Sequence, residues 1–186
     1  MSEAFERAAV KALASSLDTA VSDFAAVITE WPLVNQELSL PAITIINQPS
    51  RLTKKPATYI SVGSVTSNSA SVLYDVGDFD LEIQIDIWAA YKIQRSRLYD
   101  AVFDVLNGNI VKNCYALQLS DYHNQWATFA QIGHEFFNNS EAGSRSEWRA
   151  MVRLEVTCTA VFEKTERIIT NEPTLVFSTP NEIEES

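Results

Sequence analysis

Between Phe79 and Trp88 the chain reads FDLEIQIDIW, and this alternation dictates its local structure. Phe79, Leu81, Ile83, Ile85 and Ile87 are apolar, while Asp80, Glu82, Gln84 and Asp86 are polar or acidic. Successive strand side chains point to opposite faces, so the run predicts a long strand with one buried and one wet face. Trp148 to Phe162, WRAMVRLEVTCTAVF, repeats the pattern with its even positions apolar and only Met151 and Val161 out of phase. Both runs exceed the usual strand of about five to six residues. A helix lies between them, which makes strand–helix–strand the frame of the molecule.

The remaining elements attach to that frame. Residues 2–30 carry Phe5, Ala9, Leu13, Leu17, Ala20, Phe24, Val27 and Ile28 at helical spacing, predicting an amphipathic helix capped by Ser2 and ended at Trp31-Pro32. Ala42 to Asn47 and Thr58 to Val65 read as strands, with Thr66 to Ala70 as a turn and Ser71 to Tyr74 extended again. The second helix covers 91–107, with Leu98, Ala101, Val102, Val105 and Leu106 inward and Ile93 flanking. Arg95, Arg97, Asp100 and Asp104 are expected outward, and Gly108 takes the C-cap. Tyr115 to Leu119 and Gln125 to Phe137 are further strands, the latter leading through the Asn138 to Ser144 loop into the last strand. The expected fold is α+β: an antiparallel or mixed sheet with the N-terminal helix and the second helix packed on one face.

Two stretches stand apart by charge. Arg51, Lys54 and Lys55 cluster in an expected loop between Pro49 and Pro56. They are either a solvated loop or an acceptor for an acidic partner surface. Residues 168–186 hold four glutamates, no Lys or Arg, and the apolar island TLVF, containing Leu175, Val176 and Phe177. This segment is either a frayed acidic tail or an arm that adds to a sheet edge. The domain is therefore expected over 1–167, with 168–186 appended.

Composition narrows the function. Fourteen Lys and Arg against 24 Asp and Glu give a net charge of −10, which argues against nonspecific or direct nucleic-acid binding. At 46% hydrophobic residues the chain can bury a substantial core. No apolar run approaches the roughly 20 residues that span a bilayer, so no membrane partner is expected. The charged N-terminus does not read as a signal peptide, and a soluble protein of a reducing, intracellular compartment is expected. Cys158 falls on an apolar strand face as a small buried residue; a Cys114–Cys158 bond has no support.

Chemistry-bearing patterns are sparse. His123 and His134 lack metal-ligand spacing, and none of the five glycines forms a phosphate-binding turn. Asp80, Glu82 and Asp86 share one strand face, where paired carboxylates suit a divalent cation or acid–base work. The favoured reading is the wet face of a sheet, or a face shared with Arg149 and Arg153 across the strands. No catalytic, cofactor-binding or metal residue is assigned, and no enzyme is expected; a metal- or small-ligand-binding domain using the acidic face is the alternative. Aromatic residues crowd 115–137, and Trp126, Phe136 and Phe137 are candidate interface anchors.

The run FDLEIQIDIWA, the helix QRSRLYDAVFDVLNG directly after it, and the late strand WRAMVRLEVTCTAVFE occur in an order that resembles the tail terminator, or tail completion, proteins of long-tailed bacteriophages. The similarity covers residues 1–165 and rests on element order rather than on catalytic signatures. It implies a structural virion protein that forms a homohexameric ring, caps the tail tube and presents the surface to which the head docks, with another neck or minor tail protein of a phage-like particle as the alternative. The implied partners are further copies of itself, the tail tube protein and neck or connector proteins, with the sheath as a further one. The implied place is the tail or neck of a virion assembled in the host cytoplasm. Residues 107–146 and the acidic C-terminal segment extend beyond the family's minimal domain.

Overall fold

The computed structural model describes residues 2–29, 38–66, 69–107, 114–138 and 148–167. Helix α1 is Ser2–Val21, followed by the short strand β1 (Ala26–Ile28) and by β2 (Ala42–Asn47). Then come β3 (Arg51–Val65), β4 (Ser69–Ala89), α2 (Lys92–Leu106), β5 (Cys114–Leu119), β6 (Gln125–Asn138) and β7 (Trp148–Arg167). The strands form one mixed sheet in the order β1-β2-β4-β7-β6-β5, with β3 also paired to β4. The fold class is α+β, as expected.

The alternating runs pair along their whole length. Ile85 sits opposite Val152, Ile83 opposite Leu154 and Leu81 opposite Val156, which brings their apolar sides to one face. Phe5, Leu13 and Leu17 of α1 and Leu98, Val102 and Leu106 of α2 close over that face in a single core. Phe5 stacks on Phe79 at 4.9 Å between ring centres, with Tyr122 packed against both. The Tyr122 hydroxyl accepts a hydrogen bond from the Val161 amide at 3.0 Å, which satisfies a backbone donor just past the end of the β6–β7 ladder.

Several expectations are corrected. The first helix stops at Val21 rather than near residue 30. Ser22 and Asp23 form a turn, and the β-branched Val27 and Ile28 pair in parallel with Ile43 and Thr44. Phe24, counted in the helical stripe, is consequently exposed. The basic cluster is not in a loop: Arg51, Lys54 and Lys55 belong to β3, whose ladder is interrupted between Lys54 and Thr58 where Pro56 has no amide to donate. Ile93 is exposed rather than packed. Gly108 and most of the Asn138 to Ser144 loop lie outside the described residues.

Candidate functional site

The feature that most departs from an ordinary two-layer domain grows out of β4. Its C-terminal half pairs with β2 and its N-terminal half with β3, while β7 follows its other edge throughout. β6 accompanies β7 only from Trp148 to Cys158. Beyond that point β3, the first half of β4 and the end of β7 form a three-stranded arm. Among the described residues β3 is almost wholly exposed, with Tyr59, Ile60, Val62 and Val65 open to solvent. Phe162, expected in the core, is 43% exposed because β7 has already left the helix-covered region.

Gly77 sits at the base of the arm with φ +158°. A Cβ there would lie 2.3 Å from the Thr53 carbonyl oxygen, so only glycine permits the approach of β3. The β4–β7 register shifts between Asp75 and Gly77, a bulge that bends the strand where the arm begins.

The cations of β3 divide into two kinds. The Lys55 ammonium reaches Asp75 at 2.9 Å and Asp78 at 3.2 Å. Its hydrogen bond to Asp75 holds its pKa above the ordinary lysine value, against partial desolvation and with Asp78 adding to the rise. Arg51 and Lys54 are exposed and form no ion pair among the described residues.

On the acidic strand face Glu82 is exposed, as a wet face requires, whereas at Asp86 the face is shared with Arg149 across the strands. Asp86 is completely buried and paired with Arg149 at 2.7 Å, while Gln84 donates to its other oxygen at 2.8 Å. The Arg149 guanidinium lies 4.8 Å from the Trp88 ring centre and 5.3 Å from that of Phe137, and the Trp88 indole donates to Thr44 at 3.0 Å. Arg153 pairs instead with Glu135, and Glu82 stands opposite Glu155. Among the described residues no three His, Cys, Asp or Glu side chains converge on a metal position.

Arg95, expected outward, is 5% exposed. Its guanidinium covers Phe136 at 4.9 Å and Trp148 at 5.2 Å, and Nη1 donates to the Phe137 carbonyl at 3.2 Å. The signal for this burial was spacing: Arg95 stands three, seven and eleven residues before Leu98, Val102 and Leu106 on one stripe of α2.

The aromatic candidates occupy different places. Trp126 is 64% exposed on β6, opposite Gln118. Phe136 is half-exposed and packs on Tyr99 at 4.9 Å, while Phe137 lies on the opposite sheet face beside Arg149. Trp126 therefore does not join Phe136 and Phe137 in one patch. Leu175, Val176 and Phe177 lie outside the described residues. A concavity of about 710 Å³ opens between α1 and the β1–β2 edge. Its lining includes the solvent-exposed Glu3–Arg7 pair and Lys11 but none of the candidate interface residues.

No protein-family model matches this sequence, and no curated protein matches it. Among solved structures the chain is similar to the sheath/tube terminator, in its extended state, of an extracellular contractile injection system (PVC) determined by cryo-EM. The two are 13% identical with a TM-score of 0.41, over 92% of this chain and 62% of that one. The chain thus spans less than two-thirds of that protein's length.

Proposed function

We propose that this chain is a structural ring subunit of a phage-like tail, a tail terminator that caps the tail tube and offers a docking surface to the neck. The observation that carries this reading is the arm. Stable domains bury a sheet's apolar face against a second layer, and among the described residues this three-stranded extension has no helix over it. Tyr59, Ile60, Val62, Val65 and Phe162 are apolar side chains left open on it. A neighbouring copy supplies the missing layer, and a contact between two different surfaces of the same chain closes into a ring when its rotation divides the circle. The resemblance of the FDLEIQIDIWA–helix–late-strand order supplies the class of particle and the six-fold number.

In this reading residues 1–167 are the ring-forming domain and 168–186 an appended arm. The partners are other copies, the tube protein and neck proteins, with sheath in a contractile particle. The exposed Trp126 and the cations Arg51 and Lys54 are the side chains offered to them. The test is a pair of arm variants, Tyr59→Asp with Val62→Asp, made in the full chain. They should keep the circular dichroism and melting behaviour of the parent while losing self-association and particle assembly. Undiminished assembly by a folded variant overturns the assignment of the arm.

A further inference from the structure

Cross-strand pairing sorts the side chains of the arm by face. Tyr59 stands opposite Tyr74, which stands opposite Phe162, and Val62 stands opposite Val72. Directly opposed residues share a sheet face, so these five form one apolar platform across three strands. Phe162 keeps the alternation of Val156, Cys158 and Ala160, so the platform continues the core face past the end of the helices. Lys54 joins that face, since it stands opposite Gly77 and Gly77 stands opposite Ala160. Tyr59, Val62 and Phe162 are open to solvent. The platform is two strand spacings, about 10 Å, across, which is the width of one α-helix.

The outward side of α2 has the complementary chemistry. Ile93, Ser96, Asp100 and Phe103 follow at helical spacing on the side away from Leu98 and Val102, with Asp104 beside them. Ile93 and Phe103 are exposed apolar residues on a helix whose buried stripe is already seated in the core. Asp100 and Asp104 are exposed like charges one turn apart, and Asp104 lies in the last turn, where the helix dipole disfavours an anion. Among the described residues neither carboxylate has an ion pair, with Arg97 or with any other cation. Both features cost the helix stability in an isolated chain, and a cation from outside relieves both.

We infer that α2 of a neighbouring copy lies on the platform as its missing helical layer, with Ile93 and Phe103 against the Tyr59, Tyr74 and Phe162 row and Asp100 and Asp104 toward Lys54. This inference rests on the ring reading and names the two surfaces that such a ring brings together. A chain cannot make the contact with its own α2, which is held over the core through Leu98, Val102 and Leu106. Because α2 of one copy meets the arm of the next, the contact joins two different surfaces and repeats from copy to copy. Three features match at once. An exposed apolar stripe meets an exposed apolar platform, two carboxylates meet an ammonium, and one helix fills the width of three strands. The charged part lies at the rim of the contact and weakens with added salt.

Photo-crosslinking in the full chain tests the contact. Val62 is replaced by p-benzoylphenylalanine in a mixture of isotopically light and heavy protein, so that links between copies are recognised by mass. Those links should map to α2. Assembled particles with no links, or with links to any other segment, overturn this contact and leave the ring reading standing. A parent chain that stays monomeric, alone and with tail tubes, overturns both. Charge exchange gives an independent measurement. Asp100→Lys with Asp104→Lys, and separately Lys54→Glu, should each weaken self-association about tenfold or more while keeping the circular dichroism of the parent. All three substitutions in one chain should recover it. Unchanged association in either one-sided variant, or no recovery in the combination, refutes the inference.

Discussion

Arg149 donates through both Nε and Nη2 to one oxygen of Asp86, at 2.9 and 2.7 Å, from a position two residues along β7 from the one directly opposite. The pair lies between the Trp88 and Phe137 rings, on the face of the sheet away from both helices. Removing one partner of a buried pair leaves an uncompensated charge. Arg149→Met should cost about 3–5 kcal/mol in chemical denaturation, and adding Asp86→Leu should recover much of it. A loss in the single variant of only a few tenths would mean the pair is not desolvated in solution.

The core makes a second prediction. Ile85 and Leu154 are both fully buried, on neighbouring strands of the same face. Ile85→Ala and Leu154→Ala should each destabilise by about 2–5 kcal/mol in denaturant titrations. Near-neutral effects would place the strands in a different register.

At Gly77 the constraint is backbone rather than side chain. Because a Cβ would meet the Thr53 carbonyl at 2.3 Å, Gly77→Ala should force β3 away from β4. The expected cost is about 1–3 kcal/mol, with faster hydrogen exchange confined to the arm. Gly133, whose added Cβ meets nothing within 4 Å, is the internal control: Gly133→Ala should be close to neutral.

Burial pushes the Cys158 thiol up to about 11 from an ordinary 9.0, with the Asp78 charge adding and a backbone hydrogen bond opposing. The raised pKa means the folded state holds this proton more tightly. That contribution is fully present below pH 9.0 and is lost as pH rises through about 11. In a Cys114→Ser background, Cys158 should therefore resist thiol reagents at pH 8 in the native state and react readily once denaturant is added. Fast native labelling at pH 8 would contradict its burial.

How much of this was legible from the sequence follows from what each residue's neighbours are. Alternation in 79–88 and 148–162 identified the two central strands, because a period of two survives any partner. It did not reveal that Asp86 is buried, since that depends on Arg149, Trp88 and Thr44 arriving from other strands. The stripe on α2 located the core face, yet charge alone sent Arg95 outward when its spacing placed it with Leu98 and Val102. The N-terminal stripe ran on through Val27 and Ile28 because a parallel pairing partner fifteen or more residues away leaves no local mark. Pro49 and Pro56 suggest a loop around the basic cluster, but Pro49 precedes β3 and an edge strand tolerates Pro56, so the arm is visible only in three dimensions. Trp126, Phe136 and Phe137 were grouped by sequence proximity, which a strand's alternation and bulge do not respect.

Closure of the proposed ring is read from the mass and symmetry of the purified full-length protein. Mass photometry across a concentration series, with negative-stain images of the same samples, reads both. A hexameric ring gives particles of about 125 kDa, six copies of a 20.8 kDa chain, with a central hole and six-fold averages, formed alone or on added tail tubes. A species that stays at the monomer mass at every concentration and in the presence of tubes would contradict it.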